Sequence, residues 1–238
     1  MGFDMTSALP VVLVPGLLCS ARLYASQVTA LWPHGQVAIA DHRRDDNMAA
    51  IAAAILAAAP PRFALAGLSM GGYIAFAMMR LAPERIARLA LLDTSARPDL
   101  PEQTAGREKF IAMAEAGKLS EVVETLIPRF LHRNRASDEP LKNEVRAMAA
   151  ETGAPAFVRQ TRAIMSRPDS RPLLASIRCP TLVLVGEGDE LTTPEMAKEI
   201  AGGIAGSTLA IVPDCGHLST MEKPEAVNAA LSNWLTTT

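Results

Sequence analysis

The pattern Gly67-x-Ser69-x-Gly71 places a serine between two glycines, each two residues away along the chain. At the centre of a sharp strand-to-helix turn, the positions two before and two after the serine come so close that side chains would clash, which explains the glycines. An apolar run precedes the pattern and a helical pattern follows it. The sequence therefore predicts Ser69 as an exposed nucleophile.

A serine hydroxyl needs a neighbouring base to take its proton before it becomes a useful nucleophile. In enzymes built on this turn, the partners follow in the chain order serine, acid, histidine. Two of the four histidines, His34 and His42, precede Ser69, and His132 lies among charged residues that indicate a solvated helix end. His217, in a loop after the last predicted strand, is therefore the predicted base.

The base in turn needs a carboxylate that fixes its tautomer and stabilises the imidazolium. Asp189 follows the fifth predicted strand and is the preferred candidate. Glu187 and Glu190 are adjacent alternatives. Asp93, at the end of the fourth predicted strand, is a further alternative because it lies at the same sheet edge, and the sequence leaves the choice open.

Attack by a serine on a carbonyl places negative charge on the carbonyl oxygen, which two backbone N–H groups can stabilise. Met70 supplies one N–H at the start of the predicted helix, where negative charge is favoured. The loop after the first strand, residues 14–18, has a glycine that lets its backbone approach the substrate. We expect Leu17 N–H to be the second donor of this oxyanion hole.

These residues need a scaffold that brings strand ends together at one edge. Short apolar runs without polar alternation, separated by helical patterns, are typical of parallel strands buried on both faces. The sequence predicts an α/β fold with a mostly parallel sheet of about six strands flanked by helices. The predicted strands are 11–14, 37–40, 63–66, 89–92, 181–185 and 208–212.

Helical patterns fill the gaps between these runs, and one gap holds no strand. The segment between Leu92 and Thr181 has four helical patterns, and a structureless loop of that length would be implausible. We interpret residues 94–178 as an inserted helical cap, and residues 1–93 and 179–238 as the core. The predicted helices are 21–31, 48–59, 70–81, 103–116, 120–131, 139–151, 155–166, 194–204 and 224–235.

Composition excludes several other classes. With 23 basic and 25 acidic residues the net charge is −2, which gives no electrostatic case for a nucleic-acid or membrane partner. Three cysteines without repeated spacing favour reduced thiols and a cytoplasmic protein. No paired His or Cys spacing indicates a metal, and no dinucleotide fingerprint occurs. We expect no cofactor, a small-molecule substrate, and a monomer or homodimer.

Taken together, the motifs resemble the α/β-hydrolase superfamily, in its small-cap esterase and enol-lactonase branch. The resemblance extends over nearly the whole chain. It implies the acid at Asp189, the second oxyanion donor at Leu17, no cofactor, and hydrolysis through an acyl-enzyme. The segments that carry it are 14–18, 67–72, 186–189 with Pro194, and 216–218 with 222–224.

The sequence departs from that family in its oxyanion loop. Members usually have His-Gly there, whereas this chain has Pro15-Gly16. The backbone donor survives this change, but the side-chain hydrogen bonding that shapes the loop does not. The usual glycine-containing loop after the second strand is replaced by residues 41–47, which are strongly charged.

The expected activity is hydrolysis of small, largely apolar carboxylic esters. A pocket between cap and sheet edge is predicted to be lined by Leu18, Phe110, Leu126, Phe130 and Met165. The alternatives are a lactonase whose cap arginines anchor a carboxylate, and C–C hydrolase, haloperoxidase, hydroxynitrile lyase or acyltransferase chemistry on the same three residues. A ligand receptor that keeps the fold without turnover is an alternative of another class. The cap arginines are Arg107, Arg129, Arg159 and Arg162.

Overall fold

A computed structural model describes residues 9–237, in which six parallel strands form one sheet. The strand order is β2-β1-β3-β4-β5-β6. This architecture confirms the predicted α/β fold, and each predicted strand is present with its ends shifted by three residues or fewer. The strands are β1 (Val11–Val14), β2 (Val37–Ile39), β3 (Phe63–Leu68), β4 (Ile86–Leu92), β5 (Thr181–Gly186) and β6 (Thr208–Val212).

Eleven helices surround the sheet in the described part of the chain. Side-chain caps begin two of them: Asn47 accepts from Ala50 N–H, and Asp138 accepts from Leu141 N–H. The helices are α1 (Ala25–Leu31), α2 (Met48–Ala58), α3 (Met70–Leu81), α4 (Pro101–Glu115), α5 (Leu119–Phe130), α6 (Glu139–Thr152), α7 (Ala154–Met165), α8 (Arg171–Leu174), α9 (Pro194–Gly203), α10 (Ser219–Glu222) and α11 (Pro224–Thr236).

Successive residues of the central strands enter two different cores. In β1, Val11 and Leu13 belong to the core on one face, whereas Val12 and Val14 belong to the core on the other. Helices α1, α5, α6 and α11 contribute to the first core, and α2, α3 and α9 to the second. Both faces are therefore apolar, which is why the strands show no polar alternation.

The edge strands depart from that pattern. The predicted burial on both faces is wrong for β6, where Leu209 is 36% and Ile211 is 41% exposed. This strand is the last in the sheet order and has β5 on one side only. Residues 94–178 contain α4 to α8 and no strand. Their description as a separate cap stays a prediction.

The candidate residues follow the carboxyl ends of five neighbouring strands. Leu17 comes after β1, Ser69 after β3, Asp93 after β4, Asp189 after β5 and His217 after β6. Because parallel strands end at the same edge, the fold gathers groups that lie up to 200 residues apart in sequence. Among residues 9–237, no helix is both long enough and apolar enough to cross a bilayer.

Candidate active site

Ser69 occupies a strained turn between β3 and α3. Its backbone has φ +56° and ψ −114°, a combination that residues other than glycine rarely adopt. The Ser69 N–H donates to Leu92 O at 2.9 Å, which continues the sheet pairing one residue beyond the strand. Its carbonyl accepts from Gly72 N–H at 2.9 Å and from Thr94 Oγ1 at 2.8 Å. The turn is therefore held on one side by the pairing of β3 with β4 and on the other by the first hydrogen bond of helix α3.

The two glycines of the motif are required by close backbone contact. A Cβ on Gly67 would overlap the carbonyl of Gly71, and a Cβ on Gly71 would overlap the carbonyl of Val14. Neither partner is a flexible side chain that could move away. The spacing of the motif is therefore a direct consequence of how tightly β1, β3 and α3 meet.

Replacing Gly71 by alanine is expected to lower the free energy of unfolding by at least about 2 kcal/mol, because the new methyl group overlaps buried backbone. Urea denaturation followed by circular dichroism measures the change. Gly106 is the matched control, since a Cβ there meets no atom within 4 Å inside helix α4. Gly106→Ala should raise stability by about 0.5–1 kcal/mol. Equal midpoints for the two variants would contradict this account.

His217 contacts both other candidate residues through its two ring nitrogens. Its Nε2 lies 2.8 Å from Ser69 Oγ, and its Nδ1 lies 2.8 Å from Asp189 Oδ2. With the proton on Nδ1 donated to the carboxylate, Nε2 is free to accept the proton of the Ser69 hydroxyl. The structure thus brings together the three side chains that the sequence singled out.

The Asp189 carboxylate is held by a turn that saturates its oxygens. Oδ1 accepts from Leu191 N–H at 2.8 Å and Thr192 N–H at 3.0 Å, and Oδ2 accepts from Thr192 Oγ1 at 2.6 Å as well as from His217. Burial by itself would raise the pKa of Asp189, but the charge and hydrogen bond of His217 and those from Thr192 lower it. The group therefore stays ionised beside the base.

Sequence reasoning missed Thr192. Its hydroxyl lies 3.2 Å from His217 Nδ1 in addition to its bond to the carboxylate, so it helps to fix both groups. The available signal was a hydroxyl three residues after an aspartate in a turn, which is a common local hydrogen-bonding pattern.

The alternative acids have other surroundings than the ring of His217. Asp93, fully buried, accepts from Gly186 N–H at 2.9 Å and from the Ser219 hydroxyl rather than from the imidazole. Burial, reinforced by the charge of Asp189, raises the pKa of Asp93 well above its usual value. Glu187 and Glu190 are exposed. Asp93 thus ties the end of β5 to the residues that follow His217.

The loop that carries His217 is fastened to the end of helix α5. The carbonyl of Phe130 accepts from His217 N–H at 3.0 Å and from Leu218 N–H at 3.2 Å. The Phe130 ring also stacks on the imidazole, with centroids 6.0 Å apart and planes inclined by 20°. The orientation of the candidate base therefore depends on the helical segment between β4 and β5.

His132 differs from its sequence interpretation. It was expected to be solvated, but it is only 7% exposed, and its backbone N–H donates to Glu222 Oε2 at 2.8 Å. The same carboxylate accepts from Gly216 N–H and Leu218 N–H, and burial raises its pKa. The Glu222 carboxylate therefore holds the chain after α5 next to the loop that carries His217. The charged residues that flank His132 in the sequence do not indicate this contact.

The two expected oxyanion donors lie in the segments around Ser69. A Cβ on Gly16 would lie 3.4 Å from Ser69 Cβ, so this loop backbone comes close to the nucleophile. Leu18 N–H is engaged, because it donates to Gln160 Oε1 at 3.2 Å. Among the described residues, the amides of Leu17 and Met70 have no protein acceptor. They remain available to a substrate oxygen.

The predicted lining residues separate into two groups. Leu18, Leu126 and Phe130 are buried in one apolar cluster, and Phe110 packs against it while partly exposed. Met165, at the end of α7, belongs to neither core. The apolar cluster borders the imidazole through Phe130.

Two cavities open elsewhere on the surface. One of about 470 Å³ lies between the loops after β1 and β2 and Glu151, and one of about 120 Å³ lies beside α3 and Arg167. Neither is lined by Ser69 or His217.

Three of the four cap arginines have protein partners. Arg107 pairs with Asp99 at 2.7 Å, Arg162 with a surface glutamate at 3.0 Å, and Arg159 with a backbone carbonyl at 2.9 Å. A carboxylate anchored by any of these side chains would have to compete with those contacts.

Comparison with known proteins supports the fold described above. A model described as the alpha/beta hydrolase family matches residues 11–230. The chain is also 30% identical over 186 residues to BpoC of Mycobacterium tuberculosis, a protein named after non-heme bromoperoxidases. That alignment covers 73% of this chain and 67% of BpoC, so the chain spans about two thirds of that relative.

Two solved structures are similar over nearly the whole chain. A thermophilic esterase from Thermogutta terrifontis, determined with malate bound, has a TM-score of 0.87 at 32% identity, covering 95% of this chain and 89% of the esterase. The enol-lactonase from Burkholderia xenovorans LB400 has a TM-score of 0.88 at 26% identity, covering 99% of this chain and 94% of the lactonase.

Proposed function

Because this chain belongs to the alpha/beta hydrolase family, we propose that it hydrolyses carboxylic esters with Ser69, His217 and Asp189 as its catalytic triad. The observation that carries the proposal is the chain of two 2.8 Å contacts, from Ser69 Oγ to His217 Nε2 and from His217 Nδ1 to Asp189 Oδ2. Such a chain makes a neutral hydroxyl reactive without a metal or coenzyme.

In the first half of the reaction, Ser69 Oγ attacks the ester carbonyl while His217 Nε2 accepts the hydroxyl proton. The N–H groups of Leu17 and Met70 stabilise the oxyanion of the tetrahedral intermediate. The imidazolium, stabilised by Asp189, then donates its proton to the leaving alkoxide, and an acyl-enzyme remains. A water molecule, deprotonated by the same imidazole, releases the carboxylic acid and restores the serine.

The surroundings of the triad support a small, apolar ester as the substrate. The Phe130 ring stacks on His217, and Leu18 and Leu126 belong to the same apolar cluster. Apolar side chains of this kind favour a short acyl or aryl group over a charged one. Lactone hydrolysis is the second candidate, supported by the similarity to the Burkholderia xenovorans enol-lactonase.

A panel of p-nitrophenyl esters of increasing acyl length, together with simple and enol lactones, tests both candidates. We expect turnover of short esters and an initial burst of p-nitrophenol that approaches one per protein chain if deacylation is slower than acylation. A higher kcat/KM for lactones than for every open-chain ester would favour the lactonase. Absence of turnover on the whole panel would refute the esterase proposal.

The pH dependence follows from the environment of the base. Burial would lower the pKa of His217, but the charge and hydrogen bond of Asp189 outweigh it and raise the pKa above its usual value. The base works only when neutral, so a raised pKa makes activity disappear at a higher pH. We expect kcat/KM to fall tenfold per pH unit below a midpoint above about 6.5.

Measurement of kcat/KM between pH 4 and 9, read at the isosbestic wavelength of p-nitrophenol, gives this midpoint. Circular dichroism at each pH provides the control for unfolding. A rate that stays flat down to about pH 4 would contradict His217 as the base, since an imidazole cannot stay neutral there beside a carboxylate.

A further inference from the structure

Two buried side chains contact the loop after β1 from different parts of the chain. His42, in the loop after β2, is 2% exposed, and Gln160, on helix α7, is fully buried. His42 Nε2 lies 2.9 Å from the carbonyl oxygen of Gly16 and 3.0 Å from Gln160 Nε2. Gln160 Oε1 accepts from Leu18 N–H at 3.2 Å. The pair therefore contacts the residues on both sides of Leu17.

The peptide that joins Gly16 to Leu17 determines the direction of the proposed oxyanion donor. Its carbonyl oxygen and its N–H belong to one planar unit and point in opposite directions in the trans form. A contact that fixes the Gly16 oxygen therefore fixes the direction of Leu17 N–H, the proposed oxyanion donor. Donation to the carbonyl also polarises the peptide and strengthens its N–H as a donor.

This loop needs such restraint because its backbone is strained. Leu18 has φ +59°, a left-handed conformation that costs a residue with a Cβ about 1–2 kcal/mol. Pro15 has no side-chain donor with which to hold the loop from within. The hydrogen bond of Leu18 N–H to Gln160 keeps the strained residue in place.

His42 is neutral under ordinary conditions, because burial lowers its pKa to about 4. A neutral imidazole nitrogen makes one hydrogen bond in the ring plane, so Nε2 serves either the Gly16 carbonyl or the Gln160 amide. With the proton on Nδ1, the Gly16 oxygen would face a lone pair at 2.9 Å. The tautomer with the proton on Nε2 turns that contact into a hydrogen bond, and the Gln160 amide nitrogen then lies beside His42 Nε2 without a hydrogen bond to it.

Resting on the proposed esterase function, we propose that His42 and Gln160 are positioning residues for the oxyanion hole, with His42 donating to the Gly16 carbonyl and Gln160 holding Leu18 N–H. Neither residue touches the substrate; both act through the Gly16–Leu17 peptide. Because Gln160 lies on α7, the helical segment between β4 and β5 then sets the geometry of the hole as well as that of His217.

The test compares His42→Leu, which removes the donor, with His42→Gln, whose amide can supply an N–H near the position of Nε2. A misdirected donor weakens binding of the transition state more than of the ester. We expect kcat of His42→Leu to fall about 10- to 100-fold with KM within about twofold, since loss of a complete oxyanion donor costs 10²–10³. His42→Gln should recover to within about threefold of the wild type.

A second variant covers the case in which His42→Leu does not fold. Gln160→Met keeps the volume and removes both polar atoms, and it should lower kcat about tenfold by the same route. Gln27→Met is the matched control. Gln27 is equally buried and donates to Thr220 O and Asn228 Oδ1, away from this loop. The Gln27→Met variant should lose as much free energy of unfolding as Gln160→Met and keep the kcat of the wild type.

An alkyl trifluoromethyl ketone, which adds to a serine and forms an oxyanion, separates positioning from a merely structural role. Its affinity should fall in parallel with kcat in His42→Leu and Gln160→Met, and stay unchanged in Gln27→Met. Folded His42→Leu and Gln160→Met variants with wild-type kcat would overturn the inference alone. Equal losses in Gln27→Met would also overturn it. Wild-type protein without ester turnover would instead refute the proposed function.

Discussion

Ser69→Ala is expected to lower kcat toward p-nitrophenyl esters by about 10⁶-fold, to the residual rate that oxyanion donors and binding alone provide. The alanine cannot form the acyl-enzyme, because it lacks the hydroxyl oxygen that lies 2.8 Å from His217 Nε2 in the wild type. Steady-state rates at matched protein concentration measure the loss, and the burst of p-nitrophenol should disappear with it. The melting temperature should stay close to that of the wild type, because the backbone of the turn is unchanged.

Ser166→Ala is the matched control for this substitution. Ser166 follows α7 and is exposed, and its hydroxyl donates to the carbonyl of Ala163. Its replacement should leave kcat unaltered. If Ser69→Ala kept more than a few per cent of wild-type turnover, Ser69 would not be the nucleophile. A wild-type protein that a ligand stabilises, but that shows negligible turnover, would favour a receptor on this fold.

Asp189→Asn should lower kcat by about 10⁴-fold without unfolding the protein. The amide is nearly isosteric with the carboxylate and can still accept from the N–H groups of Leu191 and Thr192. It favours the wrong tautomer of His217, because an amide N–H directed at Nδ1 requires that nitrogen to accept. Nε2 then carries the proton and cannot take one from Ser69. Steady-state kcat and the pH profile measure the effect, and the acidic limb should move to lower pH as the raising influence on the His217 pKa is lost.

Asp93→Asn provides the contrast. Burial raises the pKa of Asp93 and so disfavours its charged form, which makes a neutral amide a close replacement. The amide can accept from Gly186 N–H and pair with the Ser219 hydroxyl, which are the contacts of the acid itself. We expect kcat within about tenfold of the wild type. A loss as large as that of Asp189→Asn would move the role of acid to Asp93.

The amino-acid sequence by itself determined the sheet and the position of the proposed nucleophile. Parallel strands covered on both faces are uniformly apolar, so the runs such as 63–66 and 181–185 can be recognised without knowledge of their partners. The requirement for Gly67 is equally local, since the clash that excludes a side chain there involves Gly71, four residues away. A structural constraint that acts between residues close in sequence leaves a pattern of residue types that can be recognised without the structure.

Only the tertiary structure shows which carboxylate contacts the imidazole of His217: Asp189 does, whereas Asp93 pairs with Gly186 and Ser219. The sequence leaves this open because both residues follow neighbouring strands at the same edge. The roles that we infer for His42 and Gln160 depend on contacts across 26 and 142 residues of sequence. Gln160 reaches the loop after β1 from helix α7, and His42 reaches it from the loop after β2. No pattern of residue types records which distant side chain will contact a given loop. The burial of His132 among charged neighbours has the same cause: its ring lies against Gly188 and its backbone N–H donates to Glu222, both in segments far along the chain.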